Sequence, residues 1–417
     1  MSASRTRRLG ALALILGLGA AAGRLLHTPP TPAFRPVTPP ATPLAPRLSA
    51  TLLPRAAPTA HAATLAELPD GDLAAAWFAG SKEGAPDVAL YLSRYHSRSG
   101  EWTAPHPIAD RAGVQAATGR YVRKLGNPVL GVDGAGRLHL WFVSVAYGGW
   151  AGASLNHQIS TDGGQHWSPA RRLVSGPFLN ISTLVRTPPL AREQGAFALP
   201  AYHEFLKKHG EWLEIGPDGR LTDLARLPGR GAEGRDRPAL QPAVAPTDQG
   251  LLALLRDAGP GPGRVLAARS GDGGAHWHAL APLPIPNPNA SVALLRLQDG
   301  RLLLAANPQA QDRNQLALWL STDQGATWQP ALSLENSPNG DDEFSYPALL
   351  QDRQGRIHVL YTWRRQTIKQ VVLTPARLGP APKGALLPRG AAPALPLAAP
   401  SQTSTASTPP SAPGARP

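Results

Sequence analysis

The 417-residue chain contains no cysteine. Disulfides, thiolate metal sites, a cysteine nucleophile and a lipidated cysteine are therefore excluded, and stability has to come from the packed core alone. Acidic residues are missing from both ends. Residues 1–58 hold seven Arg, and residues 379–417 hold Lys383, Arg389 and Arg416, with no Asp or Glu in either stretch. The other 31 basic residues thus lie in residues 59–378 beside all 28 acidic ones, so the formal charge of +13 falls to +3 there. A charge so nearly balanced does not indicate nucleic acid as a partner. A phosphate-binding glycine loop, a spaced His/Asp cluster and a Ser-His-Asp pattern are also lacking, so neither a metal nor a cofactor is expected.

What is present divides the chain into four parts. "RTRR" at Arg5–Arg8 and the apolar Leu9–Gly23 have the order of an export signal. The apolar run is shorter than the roughly 20 residues of a membrane span. Residues 1–26 are read as a signal peptide or a retained N-terminal membrane anchor, which makes the protein exported: periplasmic, held on the inner membrane, or secreted. Residues 27–58 read as a linker, with ten prolines between His27 and Pro58, and residues 379–417 as a Pro/Ala-rich disordered tail. The folded unit is expected at 59–378, as a monomer.

Within that unit a turn containing Gly followed by an apolar strand occurs six times, as in "LPDGDLAAAWF" and "DRQGRIHVLYTW". The glycines are Gly71, Gly136, Gly195, Gly250, Gly300 and Gly355, spaced by 65, 59, 55, 50 and 55 residues. Such spacings suit a blade of four strands, and no segment reads as a convincing amphipathic helix. The expected fold is all-β, a six-bladed β-propeller.

A second pattern, S-x-D-x-G-x-x-W, occurs as "STDGGQHW" from Ser160, "SGDGGAHW" from Ser270 and "STDQGATW" from Ser321. Each match falls where the outer two strands of a blade would turn. Ser and Asp can bond backbone amides there, Gly permits positive φ, and Trp buries a flat apolar surface between sheets. Catalytic roles for Asp162, Asp272 and Asp323 are disfavoured, because three equivalent turns on three blades cannot converge on one substrate.

These turns on a six-fold repeat resemble the Asp-box repeats of the sialidase (neuraminidase) superfamily. "LQPAV", "IPNPNAS", "EFSYPALLQDRQGRIHVLYT" and "RRQTIKQVVL" are similar to its bacterial and plant branch of BNR-repeat, exo-α-sialidase-like proteins. The resemblance implies an exo-glycosidase releasing a terminal carboxylated sugar, with a Tyr nucleophile, a carboxylate beside it, an Asp acid/base and three Arg gripping the carboxylate. A neutral phenol is not repelled by an anionic sugar, and guanidinium forks match a carboxylate bidentately.

Carried over by position, the nucleophile is Tyr346, nine residues before Gly355. Arg256 and Arg313 are two members of the Arg set. Asp87, with Glu83 in reserve, stands where the acid/base is expected. Two positions depart from the pattern. His61 stands where the first Arg belongs, ten residues before Gly71, and Gln241 where the carboxylate partner belongs, nine before Gly250. Gln241 cannot accept a proton, and His61 offers a full charge only when protonated. Glu204 and the acidic run Asp341, Asp342 and Glu343 are the alternative sources of a base, although in a straight strand Glu343 would face away from Tyr346. The readings left open are a glycosidase acting on sialic acid or on a uronic-acid-containing glycan, and a non-catalytic glycan-binding propeller.

Overall fold

A computed structural model describes residues 14–15, 33–34, 44–176, 180–205, 207–337 and 340–378. The expected leader, apart from Leu14 and Ile15, and the tail 379–417 lie outside the described residues. No helix among the described residues is long and apolar enough to cross a membrane.

Six antiparallel sheets stand around one axis, as the six glycine turns predict. Blade 1 comprises Thr59–Glu67, Leu73–Gly80, Ala89–His96 and short outer pieces; blade 2 comprises Lys124–Val132, Leu138–Val145, Ala153–Ser160 and Arg171–Arg172. Blade 3 contains Leu184–Val185, Phe197–His203, His209–Ile215 and Leu221–Leu227; blade 4 contains Ala239–Thr247, Gly250–Asp257, Leu266–Ser270 and His278–Ala279. Blade 5 is Ala293–Arg296, Leu302–Ala306, Gln315–Ser321 and Gln329–Asn336. Blade 6 runs Phe344–Gln351, Ile357–Trp363 and Thr367–Leu373, and its outermost strand is Leu48–Leu52, paired from Leu48↔Leu373 to Leu52↔Lys369. Five strand residues supplied from far up the chain complete this sheet, so blade 6 joins two distant parts of the sequence and covers the edge of Thr367–Leu373.

That closure moves one boundary. The stretch 27–58 does not serve only as a spacer, because its last part is a blade strand and Leu53 is buried. Phe34 of the same stretch also packs on blade 3, with its ring 3.9 Å from the Arg192 guanidinium and 6.4 Å from the Trp212 ring. A second departure is the helix Arg111–Thr118 between blades 1 and 2, capped by Asp110 at its N-terminus and Gly119 at its C-terminus. Only Val114 of that helix is buried, so it carries too short an apolar stripe to be recognised by period.

The sheets bury apolar side chains on both faces, in clusters that span neighbouring blades. Strand direction then sets the geometry. Every second strand starts at a glycine turn on one end of the axis and finishes at the other, which brings the ends of equivalent strands to a single mouth.

Candidate functional site

At this mouth each inner-strand segment is kinked by a non-glycine residue in the left-handed region: Ala62 (φ 57°), Asn127 (47°), Ser182 (66°), Gln241 (52°), Asn289 (52°) and Tyr346 (55°). In blades 1, 2, 4 and 6 the ladder slips register at this residue, which makes it a β-bulge. Pro128, Pro242 and Pro347 follow the kinks in blades 2, 4 and 6, where the absent N–H leaves no donor unpaired. A left-handed non-glycine residue costs roughly 1–2 kcal/mol, and bulges re-aim side chains. Here Asn127, Gln241, Asn289 and Tyr346 are joined in one hydrogen-bonded cluster.

Arg256, at the end of its strand, joins the bulges. Its Nη1 donates to Gln241 Oε1 at 3.2 Å and to the Tyr346 hydroxyl at 3.3 Å, while its Nε donates to Asn289 Oδ1 at 2.5 Å. Gln241 Nε2 and Asn127 Nδ2 both donate to the Tyr202 hydroxyl, at 3.3 and 3.0 Å. Tyr202 is buried, which pushes its phenol up and keeps it protonated. Gln241 therefore acts as a neutral link between a cation and a phenol.

Arg313 approaches Tyr346 from blade 5, its guanidinium 5.8 Å from the ring centre and its Nη2 donating to Asn289 O at 2.7 Å. It also meets Glu343, whose Oε1 accepts from Arg313 Nη1 at 3.3 Å and from Ser345 Oγ at 2.6 Å. Glu343 Oε2 accepts from Arg365 Nε at 2.5 Å, and Arg365 Nη1 reaches Glu83 Oε2 at 2.7 Å. Glu343 belongs to the same cluster as Tyr346 because the strand is bulged between them, against the expectation for a straight strand. Burial alone would raise its carboxyl, but hydrogen bonds from Arg365 and Ser345 outweigh that and hold it at about 2. Glu343 is thus a standing anion that clamps two arginines and is a poor proton acceptor.

Two further side chains lie under Tyr346. The His61 ring packs at 4.3 Å from the Tyr346 ring, and its Nδ1 is buried without a hydrogen bond. Burial first, then the charge of Arg365, lowers its pKa well below the usual value, so His61 is neutral and does not replace an arginine. Arg186 is fully buried and makes no ion pair among the described residues. Its Nη2 donates to Tyr346 O at 2.5 Å and Pro347 O at 3.2 Å, its Nη1 to Ala63 O at 3.2 Å, and its guanidinium sits 5.1 Å from the Tyr346 ring centre. Burial lowers its pKa to about 10, which leaves it charged at neutral pH.

The remaining expected residues divide. Glu83 joins the cluster through Arg365, and the half-buried Glu204 makes no side-chain hydrogen bond or ion pair among the described residues but acts electrostatically on Tyr202. Asp87 does not join. Both its oxygens accept from Ser81, at 2.8 Å from N and 2.9 Å from Oγ, bonds that hold its carboxyl below the usual range. Asp87 instead lines an outer cleft of about 450 Å³ against Arg111 and Gln115. Among the described residues, no group of His, Asp and Glu could hold a metal ion. An apolar cavity of about 420 Å³ lies at the opposite end of the axis, bordered by Phe34, Leu65, Val244 and Leu349, and contains none of these groups.

The sequence reading assigned no site role to Arg186, Tyr202, Asn289 and Arg365, and named Asn127 only as a residue that could face the central cavity. A signal for two of them was present. The nine-residue offset that picks Tyr346 and Gln241 also picks Asn127 before Gly136 and Arg186 before Gly195. Arg365 reaches the cluster from the hairpin between the second and third strands of blade 6, which no spacing rule indicates.

Chemically, the cluster offers the half-buried hydroxyl of Tyr346, several guanidinium donors in excess over carboxylates, and two carboxylates at its edge. Such a set suits a small anionic ligand. The sequence profile of the BNR repeat-like domain matches residues 71–359. No curated protein matches the chain in sequence. Among solved structures, the chain is similar to the Hadza microbial sialidase Hz136, with 16% identity and a TM-score of 0.61 over 77% of this chain and 66% of that one. It thus spans slightly less than two thirds of that sialidase. The intramolecular trans-sialidase from Ruminococcus gnavus in complex with oseltamivir carboxylate is 13% identical, with a TM-score of 0.60 over 80% of this chain and 98% of that one. Penicillium chrysogenum α-L-arabinanase complexed with arabinobiose is also 13% identical, with a TM-score of 0.55 over 82% and 98%. At these identities the likeness establishes the fold.

Proposed function

Because the chain belongs to the BNR repeat-like domain family, whose fold it shares with sialidases and an arabinanase, we propose that it is an exported glycoside hydrolase releasing a terminal carboxylated sugar, sialic acid by default. The observation that carries this reading is Arg256. It is a cation with no ion pair among the described residues, held by Gln241 and Asn289 and donating to the Tyr346 hydroxyl. A sugar carboxylate at this guanidinium, shared with Arg313, would bring its anomeric carbon to Tyr346. Tyr346 would attack, and the blade 1 carboxylate Glu83, which reaches the cluster through Arg365, would protonate the leaving oxygen. A basic then apolar order in residues 5–23, as expected of an export signal, supports action outside the cytoplasm.

One observation favours a second reading, glycan binding without turnover. Gln241 bonds Arg256 and Tyr202, so no carboxylate stands against the Tyr346 hydroxyl to take its proton. A panel of aryl glycosides of sialic acid, glucuronic acid and arabinose, beside a glycan array, separates the readings. Turnover of an acidic glycoside supports hydrolysis, and array binding with no turnover supports the binding module. Turnover of the arabinoside alone would overturn the acidic-sugar assignment.

A further inference from the structure

The protein has ten Trp, seven Tyr and seven Phe, and a β-propeller normally buries such residues between its blades. Among the described residues only Tyr121, Tyr147 and Phe205 are exposed, at 49%, 75% and 50%. All three lie on loops at the mouth end of blades 2 and 3. Tyr121 follows the helix Arg111–Thr118 just before the inner strand of blade 2. Tyr147 follows the second strand of blade 2, and Phe205 the corresponding strand of blade 3. The Tyr121 and Tyr147 ring centres stand 5.5 Å apart with 34° between their planes, so the two rings pack on each other and present their outward faces to solvent. Trp150, three residues after Tyr147, lies half-buried, with the Lys124 ammonium 4.0 Å from its ring centre. Lys124 links this aromatic surface to the axial cluster, since Glu83 and Glu204 both act on its charge and Asn127 follows it on the same strand.

We propose that Tyr121, Tyr147 and Trp150, with Lys124 and Glu204, form a subsite for an uncharged pyranose ring of the leaving glycan, adjoining the axial pocket that takes the acidic sugar; this rests on the reading given under Proposed function. A pyranose presents a face of C–H groups that lies against an aromatic ring, and hydroxyls at its edge that bond charged groups. Two exposed ring faces, an ammonium donor and a free carboxylate acceptor supply both kinds of contact. Stacking on the ring faces predicts preference for substrates with at least one sugar beyond the scissile bond, and an aryl leaving group, which lacks the sugar hydroxyls, would use fewer of these contacts.

The test compares wild type with Tyr121→Ser/Tyr147→Ser, exposed changes that leave the core untouched, on an aryl α-sialoside and on 3′-sialyllactose. The proposal predicts a KM for the trisaccharide raised about five- to tenfold, with the aryl sialoside within about twofold of wild type. Equal constants on both substrates, or equal losses on both, would overturn it. If neither substrate is turned over, the same pair is compared on an array of neutral and acidic oligosaccharides. Weakened binding by the variant then upholds the subsite while the hydrolase reading falls, and unchanged binding overturns the subsite. A third arm uses phosphatidylglycerol/phosphatidylethanolamine vesicles, because aromatic and basic side chains also suit a membrane surface. Loss of vesicle binding with glycan binding intact would assign the surface to lipid and overturn the proposal.

Discussion

At the outer turns of blades 2, 4 and 5 the same side chains make the same bonds three times, whereas at the axial mouth the same backbone kink carries six different side chains. In the turns, Ser160, Ser270 and Ser321 each donate to an Asp Oδ1 at 2.8 Å and accept from a Gly N at 2.9 Å. Trp167, Trp277 and Trp328 each donate to that Gly carbonyl, at 3.0, 2.9 and 3.1 Å. Both oxygens of each Asp are engaged by these and following residues of the same turn, which ties each carboxylate to its own turn. At the mouth, Ala62, Asn127, Ser182, Gln241, Asn289 and Tyr346 share a conformation and nothing else. A repeat that keeps its side chains is keeping a turn. One that keeps only its backbone frees its side chains to differ, and four of these six meet in one cluster.

Breaking the mouth and breaking a turn should therefore have different signatures. The largest effect is predicted for Tyr346→Phe, which removes the hydroxyl but keeps the ring against His61 and Arg186. If hydrolysis is the activity, kcat should fall on the order of 10³-fold while melting temperature and glycan affinity stay near wild type. Full activity in this variant would exclude Tyr346 as the nucleophile. Gly274→Ala should do the reverse. Gly274 has φ 108°, and a Cβ there would lie 2.2 Å from Trp212 Nε1 of the next blade. A loss of about 2–4 kcal/mol in denaturant unfolding is expected, with the activity per folded molecule unchanged. Ser270→Ala deletes three bonds of one turn, to Asp272 Oδ1, Asp272 N and Gly274 N, without a clash and should cost about 1–2 kcal/mol by the same measurement. The smallest effect concerns Glu343. Its folded carboxyl stands at about 2 against an ordinary 4.5, so it stabilises the fold above pH 4.5 and that stability is lost as pH falls toward 2. Glu343→Gln should flatten the melting curve against pH across that window relative to wild type. Parallel curves would mean that the Arg313 and Arg365 pairs contribute nothing to stability.

The two regions also differed in how far the sequence revealed them. Turn positions were legible because glycine and Asp-box residues are needed locally, and Gly71, Gly136, Gly195, Gly250, Gly300 and Gly355 all have positive φ as their turns require. Blade number followed from their spacing. The closing strand Leu48–Leu52 was not legible, since its partner Thr367–Leu373 lies more than 300 residues away and its neighbourhood is rich in proline. Of the residues that the structure gathers in the cluster, those tied to the repeat were legible: Tyr346, Gln241 and Arg256. Arg365 and Tyr202 were not, because they enter the cluster from hairpin and strand-end positions that only the assembled ring brings near. Asp87 shows the opposite error. A loop carboxylate looked available in sequence, but its own neighbour Ser81 takes both oxygens.

The central claim is that an anionic ligand is taken at the kinked ring and not at the Asp-box turns. Isothermal titration of N-acetylneuraminic acid, and in parallel of glucuronic acid, into wild type, Arg256→Ala and Asp272→Asn tests it whether or not the protein turns substrate over. The account predicts binding to wild type and to folded Asp272→Asn alike, weakened by roughly 2–5 kcal/mol in Arg256→Ala. Binding that survives Arg256→Ala undiminished, or that disappears in a folded Asp272→Asn, would contradict it.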